Sequence, residues 1–267
     1  SDAKLSVAPT YLSLDRYDGN VGKSPIALSG KVSNYIPYIM GGGTLRGNLA
    51  LASVNMDLNE FLVEEEVVEE DTASAPMEAP VIPDDIDFTF NAEITRLLYE
   101  AYDLRDFMGT ITVRDQALTL QEVSAKTLGG TIAMNGSYST QNPDEPKYTF
   151  GMDIQKVSIG EFFDKTESLQ AYAPIMEEMT GDLSTKLDVR GLLTRSLEPV
   201  LPSITGAGLA KLLQVTVTSN VQKQIAGKTK LSNLKEVNIP KALVNFEIRD
   251  GRMFVDPFDF SVGQTQL

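Results

Sequence analysis

The sequence predicts a mainly β protein with a few short helices (α+β), built on a long curled antiparallel sheet whose concave face is apolar and made of repeated strand units. Three observations carry that expectation. Apolar residues fall on every second position through long stretches, a strand-and-turn phrase occurs more than once, and turn-forming dipeptides separate the alternating segments. The clearest copy of the phrase runs from Gly109 to Ser139, GTITVRDQALTLQEVSAKTLGGTIAMNGSYS, where Ile111, Val113, Leu118, Leu120, Ile132 and Met134 alternate with other residues. Each such strand has one oily face and one polar face. A second copy, VNFEIRDGRMFVDPFDFSVGQTQ, sets Arg249-Asp250 where the first has Arg114-Asp115. A chain that repeats a strand unit extends one sheet, and a repeated sheet with an apolar face offers a surface more readily than a catalytic pocket.

Residues 1–62 form the first strand unit. Strands are expected around Leu12–Leu14, Ile26–Ser33 and Thr44–Ala52, with Gly41-Gly42-Gly43 as a corner, because glycine reaches positive φ without steric cost. The triplet lacks the glycine spacing, the Lys and the following helix of a phosphate loop. Residues 63–84 read as an acidic, proline-containing flexible loop: Glu64, Glu65, Glu66, Glu69, Glu70 and Asp71 repel one another, and Pro76, Pro80 and Pro83 prevent regular pairing. These acids lack the alternating, glycine-turned spacing of a calcium-binding loop.

A second strand unit with short helices spans 85–195. Its strands are expected near Ile86–Ile94, Leu104–Arg114, Leu118–Ala125, Thr131–Ser139 and Tyr148–Ile154, with TRLLYEAY from Thr95 to Tyr102 as a helical turn and NPDEP from Asn142 to Pro146 closing a hairpin. Ser158 caps a short helix through Phe163. Another helix is expected from Ser168 to Met179, with Leu169, Tyr172, Ile175, Met176 and Met179 near one face, followed by a strand from Gly181 to Gly191. Residues 196–267 read as a partly helical connection, with helices around Gly208–Thr216 and Ser219–Ile225, and a final hairpin from Ala242 to Val262 turning at Arg249-Asp250-Gly251-Arg252. Together the segments are expected to form one continuous domain. Lys211, Lys223, Lys228, Lys230, Lys235 and Lys241 face only Glu198 and Glu236 in this last stretch, which makes it locally basic: a solvated face, or a contact for anionic lipid or a partner.

Composition narrows function. With 267 residues and 42% apolar content the chain can bury a real core. It has no apolar run of membrane-spanning length and no signal peptide, and the start at Ser1-Asp2-Ala3 reads as a cut end of a longer protein. The absence of cysteine removes disulfides and thiolate metal sites. The absence of histidine removes Ser-His-Asp triads, histidine-ligated zinc and imidazole acid-base chemistry. A net charge of −14 disfavours nucleic acid. No cofactor, no metal and no enzymatic activity are expected. The candidates for an enzyme are the acids Asp84, Asp85 and Asp87, or Asp256 and Asp259, since paired carboxylates can cleave glycosidic bonds, but their positions beside prolines fit solvated turns.

TLGGTIAMNGSYS followed by a hairpin, then YTFGMDIQKVSIGEFF, resembles the C-terminal region of AsmA-like proteins, in which a strand ending in Gly-Gly leads to small-residue strands and then an exit into helices. GGGTLRGNLALASVNMDLNEFL echoes it, with Met56, Leu58 and Phe61 where the later copy has Val157, Ile159 and Phe162. The stretch LLYEAYDLRDFMGTITVRDQALTLQEVSAK is similar to the same pattern. The resemblance covers most of the chain from about Ala27 onward and rests on degenerate patterns. It implies kinship with TamB-type bridge-like proteins, anchored in the inner membrane of Gram-negative bacteria, extending into the periplasm and serving phospholipid movement and outer-membrane biogenesis or integrity. The membrane anchor would lie outside this chain, and other envelope proteins are possible partners. The family pattern contains no catalytic residues.

The residues support the same mechanism on their own. An acyl chain in water exposes apolar area costing about 25 cal/mol per Å², and alternating strands offer a continuous face that removes this cost without gripping any one position. Ile111, Val113, Leu118, Leu120, Ile132, Met134, Phe150, Met152, Phe246 and Ile248 are the expected lipid-contacting residues. Two alternatives stay open. These residues could form an ordinary sealed core, or the domain could brace a larger envelope protein without touching lipid.

Overall fold

The computed structural model describes residues 2–61, 81–166, 170, 174–195, 198–217, 237–258, 261–262 and 265–266. The expected helix at Ser219–Ile225, most of the acidic loop, and Lys223, Lys228, Lys230, Lys235 and Glu236 lie outside the described residues, as does much of the Ser168–Met179 segment.

The protein is mainly β, as the alternation predicts. Its strands are β1 (Asp2–Ala8), β2 (Tyr11–Val21), β3 (Ser24–Ser33), β4 (Leu45–Ser53), β5 (Met56–Asp57), β6 (Ile86–Tyr99), β7 (Tyr102–Arg114), β8 (Ala117–Thr127), β9 (Gly130–Ser139), β10 (Lys147–Ser158), β11 (Met179–Leu192), β12 (Thr205–Val217), β13 (Val237–Arg249) and β14 (Arg252–Val255), with a small pair β15 (Ser261–Val262) and β16 (Thr265–Gln266). Among the described residues two short α-helices interrupt them, α1 (Tyr35–Ile39) and α2 (Ile159–Lys165). Hydrogen bonding orders the main sheet β1-β2-β3-β4-β6-β7-β8-β9-β10-β11-β12-β13-β14, with β5 beside β6.

Tight turns enforce this sequential order. Asp115-Gln116, Leu128-Gly129 and Asp250-Gly251 each take positive φ at both central positions, the conformation whose twist matches two antiparallel strands. Arg249 therefore faces Arg252 across the final hairpin, as expected. One join differs from the antiparallel expectation. β4 runs parallel to β6 over Leu45–Ser53 and Ile86–Ile94, and β5 continues the pairing at Leu97-Leu98. Parallel neighbours cannot be linked by a tight turn, which accounts physically for the long connection between Phe61 and Ile86.

Two expected helices are strands. Thr95 to Tyr99 continues β6, and the chain turns at Glu100-Ala101 into β7, with Leu97 paired to Leu104. Gly208 to Thr216 lies inside β12, paired to β13 along its length. β1 was not expected, and Met179 opens β11 rather than ending a helix. The α2 start is as expected: the Ser158 hydroxyl accepts the Glu161 N–H at 3.4 Å, and Glu161 and Lys165 sit at the ends that suit the helix dipole. Gly41-Gly42-Gly43 is a corner, with positive φ at Gly41 and Gly43.

The chain forms two compact units. The first comprises Ser1–Ala125, Ala133–Gly151 and Arg190–Ile204, and the second Lys126–Ile132, Met152–Val189 and Thr205–Leu267. In the first, Leu49, Ala92, Ile94, Leu97, Val123 and Ala125 are buried; in the second, Leu128, Ile154, Val157, Ile159, Phe163, Leu183, Val215, Val217, Ile239 and Ala242 are. Along several strands the apolar spacing slips from two to three in mid-strand. Ile94 is followed by Leu97, Ile154 by Val157, Leu212 by Val215 and Ile239 by Ala242.

Two of these steps hold a backbone irregularity, Lys156 between Ile154 and Val157 and Gln214 between Leu212 and Val215, and two further steps of three hold another, Asp106 between Leu104 and Phe107 and Glu122 between Leu120 and Val123. Asp106 in β7, Glu122 in β8, Lys156 in β10 and Gln214 in β12 are non-glycine residues with φ between 50° and 54°. Such a residue breaks the two-residue period, so the next apolar side chain returns to the original face. Neighbouring strands hold two of these kinks. The Asn135 side-chain oxygen accepts the Glu122 N–H at 2.8 Å, and the buried Ser184 hydroxyl accepts the Lys156 N–H at 3.0 Å.

Candidate functional site

In the first unit one sheet face is built from Phe88, Phe90, Ile111, Val113, Leu118, Leu120, Met134 and Phe150. Phe88 pairs with Val113 and Phe90 with Ile111. The two-residue turn at Asp115-Gln116 then sets Leu118 opposite Val113 and Leu120 opposite Ile111. The Phe88 and Phe90 rings stack with centroids 5.7 Å apart. All eight residues are half-buried, neither sealed nor fully exposed.

Glycines on adjoining strands lower this face. A Cβ at Gly47 would overlap the Phe88 ring, one at Gly136 the Phe150 ring, and one at Gly191 the Tyr148 ring. Each aromatic side chain therefore lies flat across a glycine instead of standing up from the sheet, which protects the glycine and leaves a smooth apolar floor. Burial in this environment pushes the Tyr138 and Tyr148 phenols above their usual range, which keeps both neutral.

The second unit repeats the device. Ile132, Met152, Phe246 and Ile248 are half-buried there, Phe246 pairs with Gly208 and Ile248 with Gly206, and a Cβ at Gly208 would overlap the Phe246 ring. All ten expected contact residues thus lie half-buried, six in the first unit and four in the second. Sequence reasoning missed Phe88, Phe90 and Tyr148. The signal that would have found them is the pairing of an aromatic residue on one strand with a glycine on the next.

The opposite faces carry the polar groups. In the first unit the Thr110 hydroxyl donates to the Asn91 side-chain oxygen at 3.0 Å, Ser137 and Thr149 hydroxyls bond at 2.8 Å, and Arg114 pairs with Asp87 at 2.7 Å. In the second, Lys186 reaches Asp153 at 3.2 Å and the Thr216 hydroxyl donates to Asn238 at 2.8 Å. The Gln155 side chain, then Lys186, hold the Asp153 carboxyl below its usual range. These charged and hydroxyl groups thus lie on the face opposite the apolar one.

The acids considered for an enzyme stand elsewhere. Asp87 is engaged with Arg114 on the polar face, Asp84 and Asp85 precede β6, and the Asp256 amide donates to the Asn245 carbonyl beyond β14. Asp259 lies outside the described residues. Among the described residues no group of three or more acids converges as metal ligands, and no helix is long and apolar enough to cross a membrane. Compared with protein-family models, with curated proteins and with solved structures, the chain matches none of them.

Proposed function

We propose that this protein is a non-enzymatic cell-envelope protein whose apolar β face receives acyl chains and takes part in phospholipid transfer between membranes, and so in outer-membrane biogenesis or integrity. The observation that carries this reading is the half-buried state of all ten expected contact residues, floored by rings lying flat over glycines. A sealed core would bury such residues completely, as Val157 and Ile159 are buried. Each methylene moved from water onto this face gains about 0.8 kcal/mol, spread over many similar contacts, so a chain can be held and still slide. The resemblance to AsmA-like proteins supports the location, the periplasmic side of the inner membrane in a Gram-negative bacterium.

Delipidated protein incubated with phospholipid vesicles and examined by native mass spectrometry tests the reading. Phospholipid adducts are expected, and Leu120→Gln with Met134→Gln should lower their occupancy about tenfold, the effect of removing two apolar contacts. Absence of adducts on the folded protein, or equal occupancy in the double variant, leaves the domain as a structural brace instead.

A further inference from the structure

We propose that the α1 corner inserts into the surface of a lipid bilayer. Its segment runs SNYIPYIMGGGTL, and between Lys31 and Arg46 there is no charged residue, in a protein where charged residues make up 22% of the chain. The flanking charges are both cationic, which suits lipid phosphates in an otherwise acidic protein of net charge −14. Ile36 is exposed, and Ile39 and Met40 are 76% and 81% exposed. These three stand at i, i+3 and i+4, a spacing that gathers them on one side of a helical turn.

The backbone argues for lipid over an aqueous protein partner. Apolar surroundings offer no water to satisfy peptide groups, so an inserting segment must close its own hydrogen bonds. Here the Tyr38 N–H donates to the Asn34 carbonyl at 3.2 Å, Met40 to Ile36 at 3.1 Å, Gly41 to Tyr38 at 3.1 Å and Gly42 to Pro37 at 2.9 Å. Pro37 has no N–H to satisfy. The corner is also pinned to the body. The Tyr35 hydroxyl donates to the Ala8 carbonyl at 3.0 Å, the Asn34 N–H to Thr10 at 3.3 Å, and the Asn34 side chain to Thr44 at 2.7 Å. Tyr35 and Tyr38, both half-buried within the same turn, carry rings of the kind that favour the membrane–water interface. The inference stands on this corner alone and does not depend on lipid entering the sheet face.

The full chain contains no cysteine, so Met40→Cys can carry a single environment-sensitive dye. Emission is expected to shift to the blue on adding phosphatidylcholine vesicles, while the same dye at Ala101→Cys, in the β6–β7 turn, stays unshifted. In vesicle sedimentation, Ile39→Ser with Met40→Ser should lower the partition coefficient at least about tenfold, with an unchanged circular dichroism spectrum. Raising salt should leave binding to phosphatidylcholine intact, because this lipid carries no net charge and the inserted residues are apolar. No shift at position 40, unchanged binding by the double variant, or loss of binding in salt overturns the proposal. A shift that grows with protein concentration in the absence of vesicles also overturns it, in favour of a second copy of the chain.

Discussion

Replacing Gly130 with alanine is expected to destabilise the protein by about 1–3 kcal/mol, the cost of forcing an atom into filled space. A Cβ at Gly130 would overlap the Gln155 carbonyl oxygen and come within 2.7 Å of the Lys156 carbonyl group. These are main-chain atoms of β10, so no side-chain rotation relieves the clash. Lys156 is itself fixed at a φ of 54°, with its N–H held by Ser184. The adjoining Gly129 has the opposite constraint: its φ is 77° and nothing lies within 4 Å of an added Cβ. Asparagine tolerates that conformation, so Gly129→Asn should cost less than about 1 kcal/mol. Urea unfolding separates the two. With a slope of about 3 kcal/mol per M, a loss of about 2 kcal/mol moves the midpoint by roughly 0.7 M. A Gly130→Ala midpoint equal to wild type, or a Gly129→Asn shift as large, would refute the division of labour between these glycines.

Other outcomes follow from the same geometry. Ser184→Ala leaves the Lys156 N–H without its partner and should cost about 1–3 kcal/mol in urea unfolding. Ile159→Ala, at a fully buried position, should cost about 2–5 kcal/mol, while Ile111→Ala on the half-buried face should cost distinctly less. The two bonds from Arg96, at 3.1 and 3.2 Å, hold the Asp103 carboxyl below its usual range. The folded state therefore binds that proton less readily than the unfolded one, so the contribution is present above the ordinary carboxylate pKa of about 4 and is lost as pH falls through the lowered value. Asp103→Asn should flatten the acid limb of a stability-against-pH series, and an unchanged limb would count against the pair.

Legibility followed the two-residue period. Where it ran unbroken, as in Ile111 to Val113 and Leu118 to Leu120, both the strand and the buried side of its face were readable. It failed where the apolar spacing stepped to three. Ile94 to Leu97 and Leu212 to Val215 have helical spacing, and Arg96, Leu98, Lys211 and Leu213 around them are good helix formers, so TRLLYEAY and GLAKLLQVT read as helix. Pairing with β7 and β13 overrides that local preference. The parallel join of β4 to β6 left no local trace because it depends on which edge a distant strand meets. The flat rings were invisible for a similar reason: Phe150 and Gly136 are neighbours only after β9 and β10 pair, and Gly47 meets Phe88 only across the parallel join.

The central claim is that one sheet face meets acyl chains while the other meets water. Photo-crosslinking with a diazirine amino acid at adjacent positions of β10 tests it most directly, because Phe150 and Thr149 point to opposite faces. With phospholipid vesicles present, lipid adducts are predicted at position 150 and not at 149. Equal labelling at both positions, or adducts only between protein side chains, would contradict the account.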